Sequence, residues 1–119
     1  MRREPTRILI ADDDENVLIT LEHALEGEGY RTATAWSAQQ ALALSEQGHF
    51  DLLLIDEYLS GTNVDDLLQK LRQRQPHALR VLLRTHREGG EGVPSSINTA
   101  VYKWDHVEMK EQIRSYLAA

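Results

Sequence analysis

The stretch Phe50–Asp56, FDLLLID, decides the fold, because it predicts the strongest β-strand in the sequence and ends in a carboxylate. A second strand is predicted over Arg7–Ala11, RILIA, a nearly continuous apolar run rich in isoleucine and leucine. Such runs are typical of parallel strands that are covered on both faces. Three aspartates, Asp12, Asp13 and Asp14, follow this second strand at once. Carboxylates are therefore expected beyond the ends of two strands.

Amphipathic runs alternate with the predicted strands along the chain. Apolar residues at helical spacing fill Val17–Leu25, and a cleaner stripe of the same kind fills Val64–Leu71. Ser37 and Gln40 form a capping box, which predicts the start of another helix between them. The remaining predicted elements are strands over Tyr30–Trp36, Arg80–Thr85 and Asn98–Lys103 and a last helix that begins at the capping box of Asp105 and Glu108.

This alternation of strands and helices predicts an α/β fold with a parallel sheet and helices on both faces. One helix is missing from the pattern. Residues 86–97, HREGGEGVPSSI, contain three glycines and a proline, and no helical stripe can be drawn through them. The fourth helix is therefore predicted to be absent or reduced to a turn, and the alternative is a long surface loop.

Composition narrows the class of protein. The chain has 119 residues, a net charge of −6 and no cysteine, which predicts a single domain over residues 1–119 without disulfides or thiolate metal sites. No apolar run is long enough to span a membrane, and no secretory signal precedes the first strand, so a cytoplasmic location is expected. The acidic balance argues against direct binding to nucleic acid.

Polar side chains lie at or just beyond the ends of four of the predicted parallel strands, whose carboxyl ends form one edge of the sheet, where ligands bind in such folds. Clustered carboxylates repel one another unless a cation lies among them, and hard oxygen ligands suit Mg²⁺ or Mn²⁺. Asp14 is instead expected to serve the start of the first helix. The residues expected at this edge are Asp12, Asp13, Asp56, Thr85 and Lys103.

The pattern resembles the receiver domain of two-component response regulators over nearly the whole chain, from about Arg7 to Leu117. ILIADDDENV is similar to the family's first strand and acidic pair, and DLLLIDEYLSG is similar to the segment that holds the phosphoacceptor. The resemblance implies a flavodoxin-like fold with a five-stranded parallel sheet in the order 2-1-3-4-5. It also implies that Asp56 is the phosphoacceptor and that Thr85 and Lys103 assist it.

The resemblance further implies a function in signalling rather than an enzyme. A histidine kinase or phosphotransfer protein would donate a phosphoryl group to Asp56, with Mg²⁺ or Mn²⁺ bound by Asp12, Asp13, Asp56 and the backbone carbonyl of Tyr58. A downstream effector protein, or an output domain absent from this sequence, would read the signal. We expect a monomer, because the region that most family members use for dimerisation is altered.

Several positions depart from the family pattern. Trp104 follows the lysine where the family has a proline in a cis peptide bond, so either this bond is trans and the lysine lies differently or the loop is strained. His86 is bulky where the family has a small residue, and Ala100 occupies the position of the family's switch aromatic, with Tyr102 nearby. Ser60 replaces a loop proline, and Glu57 is another atypical neighbour of the phosphoacceptor. These departures predict a phosphorylatable receiver with a non-standard output.

Two other functions stay open at this point. The chain could be a phosphorylation-independent receiver that acts as a protein-interaction module, which Trp104, His86 and the missing helix favour. It could also be a small Mg²⁺-dependent phosphatase of the haloacid-dehalogenase type, for which Asp12 and Asp14 would be the acidic pair. That reading leaves Asp56 without a role, and the chain is short for that fold.

Both tryptophans are expected to pack against the domain. Trp36 ends the strand predicted over Tyr30–Trp36, and Trp104 follows the strand predicted over Asn98–Lys103. For Trp104 the alternative is an exposed anchor for a partner protein, since interface anchors are often tryptophan.

Overall fold

The computed structural model describes residues 5–85 and 99–118. Strands and helices alternate along the first of these ranges, and the second range contains one strand and a final helix. The elements are β1 (Arg7–Ala11), α1 (Glu15–Glu26), β2 (Arg31–Ala35), α2 (Ala38–Ser45), β3 (Leu52–Asp56), α3 (Val64–Arg74), β4 (Leu79–Arg84), β5 (Thr99–Tyr102) and α4 (His106–Ala118). The predicted α/β class is therefore confirmed.

The five strands form one parallel sheet in the order β2-β1-β3-β4-β5, which confirms the flavodoxin-like topology. β3 lies at the centre, between β1 and β4, and every one of its five residues is buried. The register pairs Ala11 with Ile55 and Asp56 with Leu83. Asp12 and Asp56 therefore leave the sheet at the same edge, one step beyond paired positions in neighbouring strands.

Successive residues of each strand enter two different cores, because side chains alternate between the faces of a sheet. Leu53 and Ile55 pack with α2 and α3 on one face. Leu52 and Leu54 pack with α1 and α4 on the other. The sheet is thus covered on both faces, as the continuous apolar runs of β1 and β3 predict, and this rigid frame carries the residues at its carboxyl edge.

The helix caps predicted at Ser37 and Asp105 are present. The Ser37 hydroxyl accepts the Gln40 N–H at 3.2 Å, and the Gln40 side chain accepts the Trp36 N–H at 2.9 Å. The Asp105 carboxylate accepts the Glu108 N–H at 3.0 Å at the start of α4. These bonds satisfy backbone donors that the first turn of a helix leaves free.

Neither tryptophan is buried, contrary to the expectation that both pack against the domain. Trp36 is 61% exposed and Trp104 is 52% exposed. Each follows an edge strand of the sheet that the described residues form, Trp36 after β2 and Trp104 after β5. The exposure of Trp104 is compatible with the alternative, an anchor for a partner protein.

Two sequence predictions fall on residues 86–98. The missing or reduced fourth helix and the crowding by His86 both lie outside the described residues. Within the described ranges, no helix has the length and apolar character needed to cross a membrane.

Candidate functional site

Three carboxylates converge beyond the carboxyl ends of β1 and β3. Oxygen atoms of Asp12, Asp13 and Asp56 all lie within 4.8 Å of one another. Asp12 and Asp56 are buried, whereas Asp13 is exposed. The Asp14 N–H donates to Asp12 Oδ1 at 2.9 Å, which fixes the orientation of that carboxylate. The site is thus anchored in the domain but opens to solvent on the Asp13 side.

Lys103 brings a buried ammonium into this cluster from the end of β5. Its Nζ lies 2.7 Å from Asp12 Oδ2 and 3.3 Å from Asp56 Oδ1. The Lys103 backbone N–H donates to Arg84 O at 3.0 Å, which ties the lysine to the end of β4. The bond to Trp104 is trans, and the ammonium still reaches both carboxylates. The trans bond at this position therefore does not remove the lysine from the site.

The surroundings of Asp56 and Lys103 raise the pKa of both groups. Burial raises the pKa of Asp56, and the charge of Asp12 raises it further, against the opposing effects of Lys103 and the Tyr58 N–H. Burial acts to lower the pKa of Lys103, but its hydrogen bond to Asp12 and the charges of Asp56 and Asp12 outweigh burial and raise it. Lys103 therefore stays charged at neutral pH, between carboxylates that it does not fully neutralise.

This arrangement fits a divalent cation. Three carboxylate groups face the ammonium of Lys103, so the described side chains of the cluster leave excess negative charge. Mg²⁺ prefers hard oxygen ligands and commonly keeps several of its waters, which requires a partly open site such as the Asp13 side provides. A cation among the carboxylates would relieve their mutual repulsion.

Tyr58 contacts this cluster through its backbone, and Thr85 lies two residues beyond Leu83, the β4 residue that pairs with Asp56. Thr85 follows the last residue of β4 and is half-buried. The Tyr58 N–H donates to Asp56 Oδ1 at 3.3 Å, while the Tyr58 side chain is 69% exposed. The turn after β3 therefore holds the Asp56 carboxylate through the backbone and directs a large aromatic side chain to solvent.

Asp14 has a different role, as the sequence predicts. Its carboxylate accepts the Asn16 N–H at 2.9 Å and caps α1. The three consecutive aspartates thus divide into two that contribute to the cluster and one that begins a helix.

Glu57 makes a contact that the sequence does not predict. Its Oε2 accepts the backbone N–H of Thr85 at 3.1 Å. In the sequence Glu57 is noticeable only as an atypical neighbour of Asp56, because its partner is 28 residues away and is fixed by the pairing of β3 with β4.

Residues 8–102 match the sequence profile of the response regulator receiver domain. The chain belongs to this family. The match begins in β1 and ends with β5, so it includes the sheet that positions Asp12, Asp56 and Lys103.

Curated relatives agree with this assignment. The alginate biosynthesis transcriptional regulatory protein AlgB of Pseudomonas aeruginosa is 39% identical over 95 residues, which are 80% of this chain and 19% of AlgB. The transcriptional regulatory protein CpxR of Klebsiella pneumoniae is 37% identical over 81 residues, which are 68% of this chain and 34% of CpxR. This receiver therefore spans only about a fifth to a third of the length of these two relatives.

Solved receiver structures share the whole fold. A CheY-like receiver domain protein from Methanospirillum hungatei superposes with a TM-score of 0.83 at 26% identity, over 97% of this chain and 95% of that one. The response regulator TrrA of Thermotoga maritima, solved with Mg²⁺ and BeF, gives 0.81 at 27% identity, over 92% and 97%. The chain is thus a receiver domain of the two-component response regulator type.

Proposed function

We propose that this receiver accepts a phosphoryl group on Asp56 from a histidine kinase or phosphotransfer protein. The observation that carries this proposal is the meeting of buried Asp12 and Asp56 with exposed Asp13 and the Lys103 ammonium at one edge of the sheet. Asp12, Asp13, Asp56 and the backbone carbonyl of Tyr58 would hold Mg²⁺ or Mn²⁺. Such a cation supplies charge neutralisation at the phosphoryl oxygens.

Asp56, Lys103 and Thr85 have different roles in the proposed phosphoryl transfer. A carboxylate oxygen of Asp56 forms a bond to phosphorus as the P–N bond of the donor phosphohistidine breaks, and the electron pair of that bond stays with the imidazole. Lys103, which already lies 3.3 Å from Asp56, donates a charged hydrogen bond to a phosphoryl oxygen. The Thr85 hydroxyl donates to another. Positioning and charge neutralisation of this kind account for most of the catalysis in phosphoryl transfer.

The proposed output of this receiver is non-standard. Ala100 packs against the core on the α2–α3 side of the sheet, so this position offers no aromatic ring that could change its orientation. We infer that phosphorylation at Asp56 is not read through an aromatic at Ala100. The readers would be a downstream effector or an output domain outside this sequence, and the net charge of −6 argues against direct contact of this domain with nucleic acid. We propose that the isolated receiver is a monomer.

The phosphatase alternative has less support than the receiver. Asp14, its second acid, is engaged in capping α1, and Asp12 is paired with Lys103. The phosphorylation-independent receiver remains the competing function, and it predicts that the acidic cluster binds no phosphoryl group or mimic of one.

A titration with beryllofluoride and Mg²⁺, followed by amide NMR, tests the site and the output together. We expect saturable shifts at Asp12, Asp56, Thr85 and Lys103, because beryllofluoride mimics a phosphoryl group on the acceptor. The shifts should stay near these residues and fade toward Ala100 and α4. Asp56→Asn should abolish them, while the exposed Asp65→Asn on α3 should leave them unchanged.

Two results of this titration would count against the proposal. Absence of any saturable shift would favour the phosphorylation-independent receiver. A strong shift pattern that spreads through Ala100 and α4 would show that the output is of the usual kind.

A further inference from the structure

Glu57, the residue after the proposed phosphoacceptor, contacts β4 at two points. Its backbone N–H donates to Leu83 O at 3.1 Å, and its carboxylate Oε2 accepts the Thr85 N–H at 3.1 Å. The carboxylate therefore reaches past the last residue of β4 and holds the first residue beyond it. Glu57 is half-buried, so this contact is partly shielded from water.

The turn that carries Glu57 is itself fixed. The Leu59 N–H donates to Asp56 O at 3.2 Å, and the Leu59 side chain is buried. The Tyr58 N–H donates to the Asp56 carboxylate. The backbone that directs Glu57 toward β4 is thus held at residues on both sides of it, which reduces the conformational freedom that Glu57 must lose to make the contact.

The end of β4 is held from its other side by β5. The Lys103 N–H donates to Arg84 O at 3.0 Å. Arg84 is the last residue of β4, so the strand is held by β5 at this residue and by Glu57 at the next. Thr85 is the residue whose hydroxyl is proposed to donate a hydrogen bond to a phosphoryl oxygen, and the Glu57 contact acts on its backbone.

We propose that Glu57 is a positioning residue for phosphoryl transfer. Its carboxylate fixes the backbone of Thr85 and thereby sets where the Thr85 hydroxyl lies relative to Asp56. This inference rests on the proposed function, since it assigns Glu57 a part in the transfer to Asp56. The required chemistry is only that of a hydrogen-bond acceptor, because the group it holds is a neutral backbone N–H.

That requirement separates two variants that both remove the negative charge of Glu57. Glu57→Gln removes the negative charge but keeps a side-chain oxygen that can accept the Thr85 N–H. Glu57→Ala removes both the charge and the acceptor. We expect the rate of phosphorylation by acetyl phosphate with Mg²⁺ to fall about fivefold in Glu57→Ala, the size of one net hydrogen-bond contribution, and to stay within about twofold of wild type in Glu57→Gln.

A double-mutant cycle with Thr85→Ala distinguishes positioning from general support of the fold. Thr85→Ala removes the hydroxyl and keeps the N–H. Glu57 would still bind the backbone of residue 85, but there would be no hydroxyl to position. The loss caused by Glu57→Ala should therefore largely disappear in the Thr85→Ala background. An equal loss in both backgrounds, or a Glu57→Gln variant as slow as Glu57→Ala, would overturn the inference.

The Thr85 amide proton gives a readout that needs no phosphorylation. In the unmodified protein, Glu57→Ala should shift this resonance upfield and speed its exchange with solvent, while Glu57→Gln should keep it close to wild type. An unchanged Thr85 amide in Glu57→Ala would contradict the contact itself. A wild-type chain that takes no phosphoryl group would overturn the proposed function and this inference together, whereas additive losses in a chain that does take one would overturn this inference alone.

Discussion

Replacement of Lys103 by methionine is expected to lower the free energy of unfolding by about 3–5 kcal/mol in the absence of divalent cations. The lysine ammonium lies between two buried carboxylates, 2.7 Å from Asp12 and 3.3 Å from Asp56. Methionine has a similar length but no charge, so the carboxylates would remain buried beside each other without a cation. Removal of one partner of a buried ion pair is costly because the charge left behind is uncompensated.

Urea unfolding with and without Mg²⁺ measures this effect and its cause. Mg²⁺ should stabilise Lys103→Met more than it stabilises wild type, because the ion and the ammonium neutralise the same carboxylates. The matched control is Lys70→Met on the exposed surface of α3, which should change stability by less than about 0.5 kcal/mol. A Lys103→Met variant as stable as this control, or one that Mg²⁺ stabilises no more than wild type, would contradict the electrostatic description of the site.

Asp56→Asn is expected to have the opposite effect on stability and to remove the proposed function. Burial and the charge of Asp12 raise the pKa of Asp56, so the ionised carboxylate is disfavoured in the folded state. The neutral amide avoids that cost, and Lys103 keeps its shorter contact with Asp12. We expect a gain of about 0.5–2 kcal/mol without Mg²⁺, the common size of a single stabilising substitution.

The pH dependence of this gain follows from the direction of the shift. A carboxyl group whose pKa is higher in the folded state than in the unfolded state lowers the free energy of unfolding once the pH exceeds its pKa in the unfolded state, near 3.9. This loss is complete above its pKa in the folded state. The advantage of Asp56→Asn should therefore be present at pH 7 and shrink as the pH falls toward about 4. The exposed Asp65→Asn should show no such advantage, and an Asp56→Asn variant less stable than wild type at pH 7 would contradict the prediction.

The sequence predicts the strands and helices well because they follow from local patterns. The apolar runs of β1 and β3 indicate burial on both faces, and the stripe of α3 and the capping boxes at Ser37 and Asp105 are readable over a few residues. Parallel strands then bring their carboxyl ends to one edge. The resemblance to receivers supplied the strand order, which no local pattern contains.

Other features depend on which elements become neighbours. Trp36 and Trp104 are exposed because β2 and β5 are the edges of the sheet, a fact that appears only with the strand order. The contact between Glu57 and Thr85 depends on the register of β3 and β4. Periodicity within a segment carries no information about these pairings. The sequence therefore marks Glu57 as atypical beside Asp56 but does not predict its contact with Thr85.

The most direct test of the phosphoacceptor proposal is the mass of the intact chain after incubation with acetyl phosphate and Mg²⁺. We expect an adduct of one phosphoryl group, mapped to the peptide that contains Asp56, present in Asp65→Asn and absent from Asp56→Asn. An adduct that persists in Asp56→Asn would place the acceptor elsewhere. No adduct at saturating donor, together with no binding of beryllofluoride, would contradict the proposal and identify the domain as a phosphorylation-independent receiver.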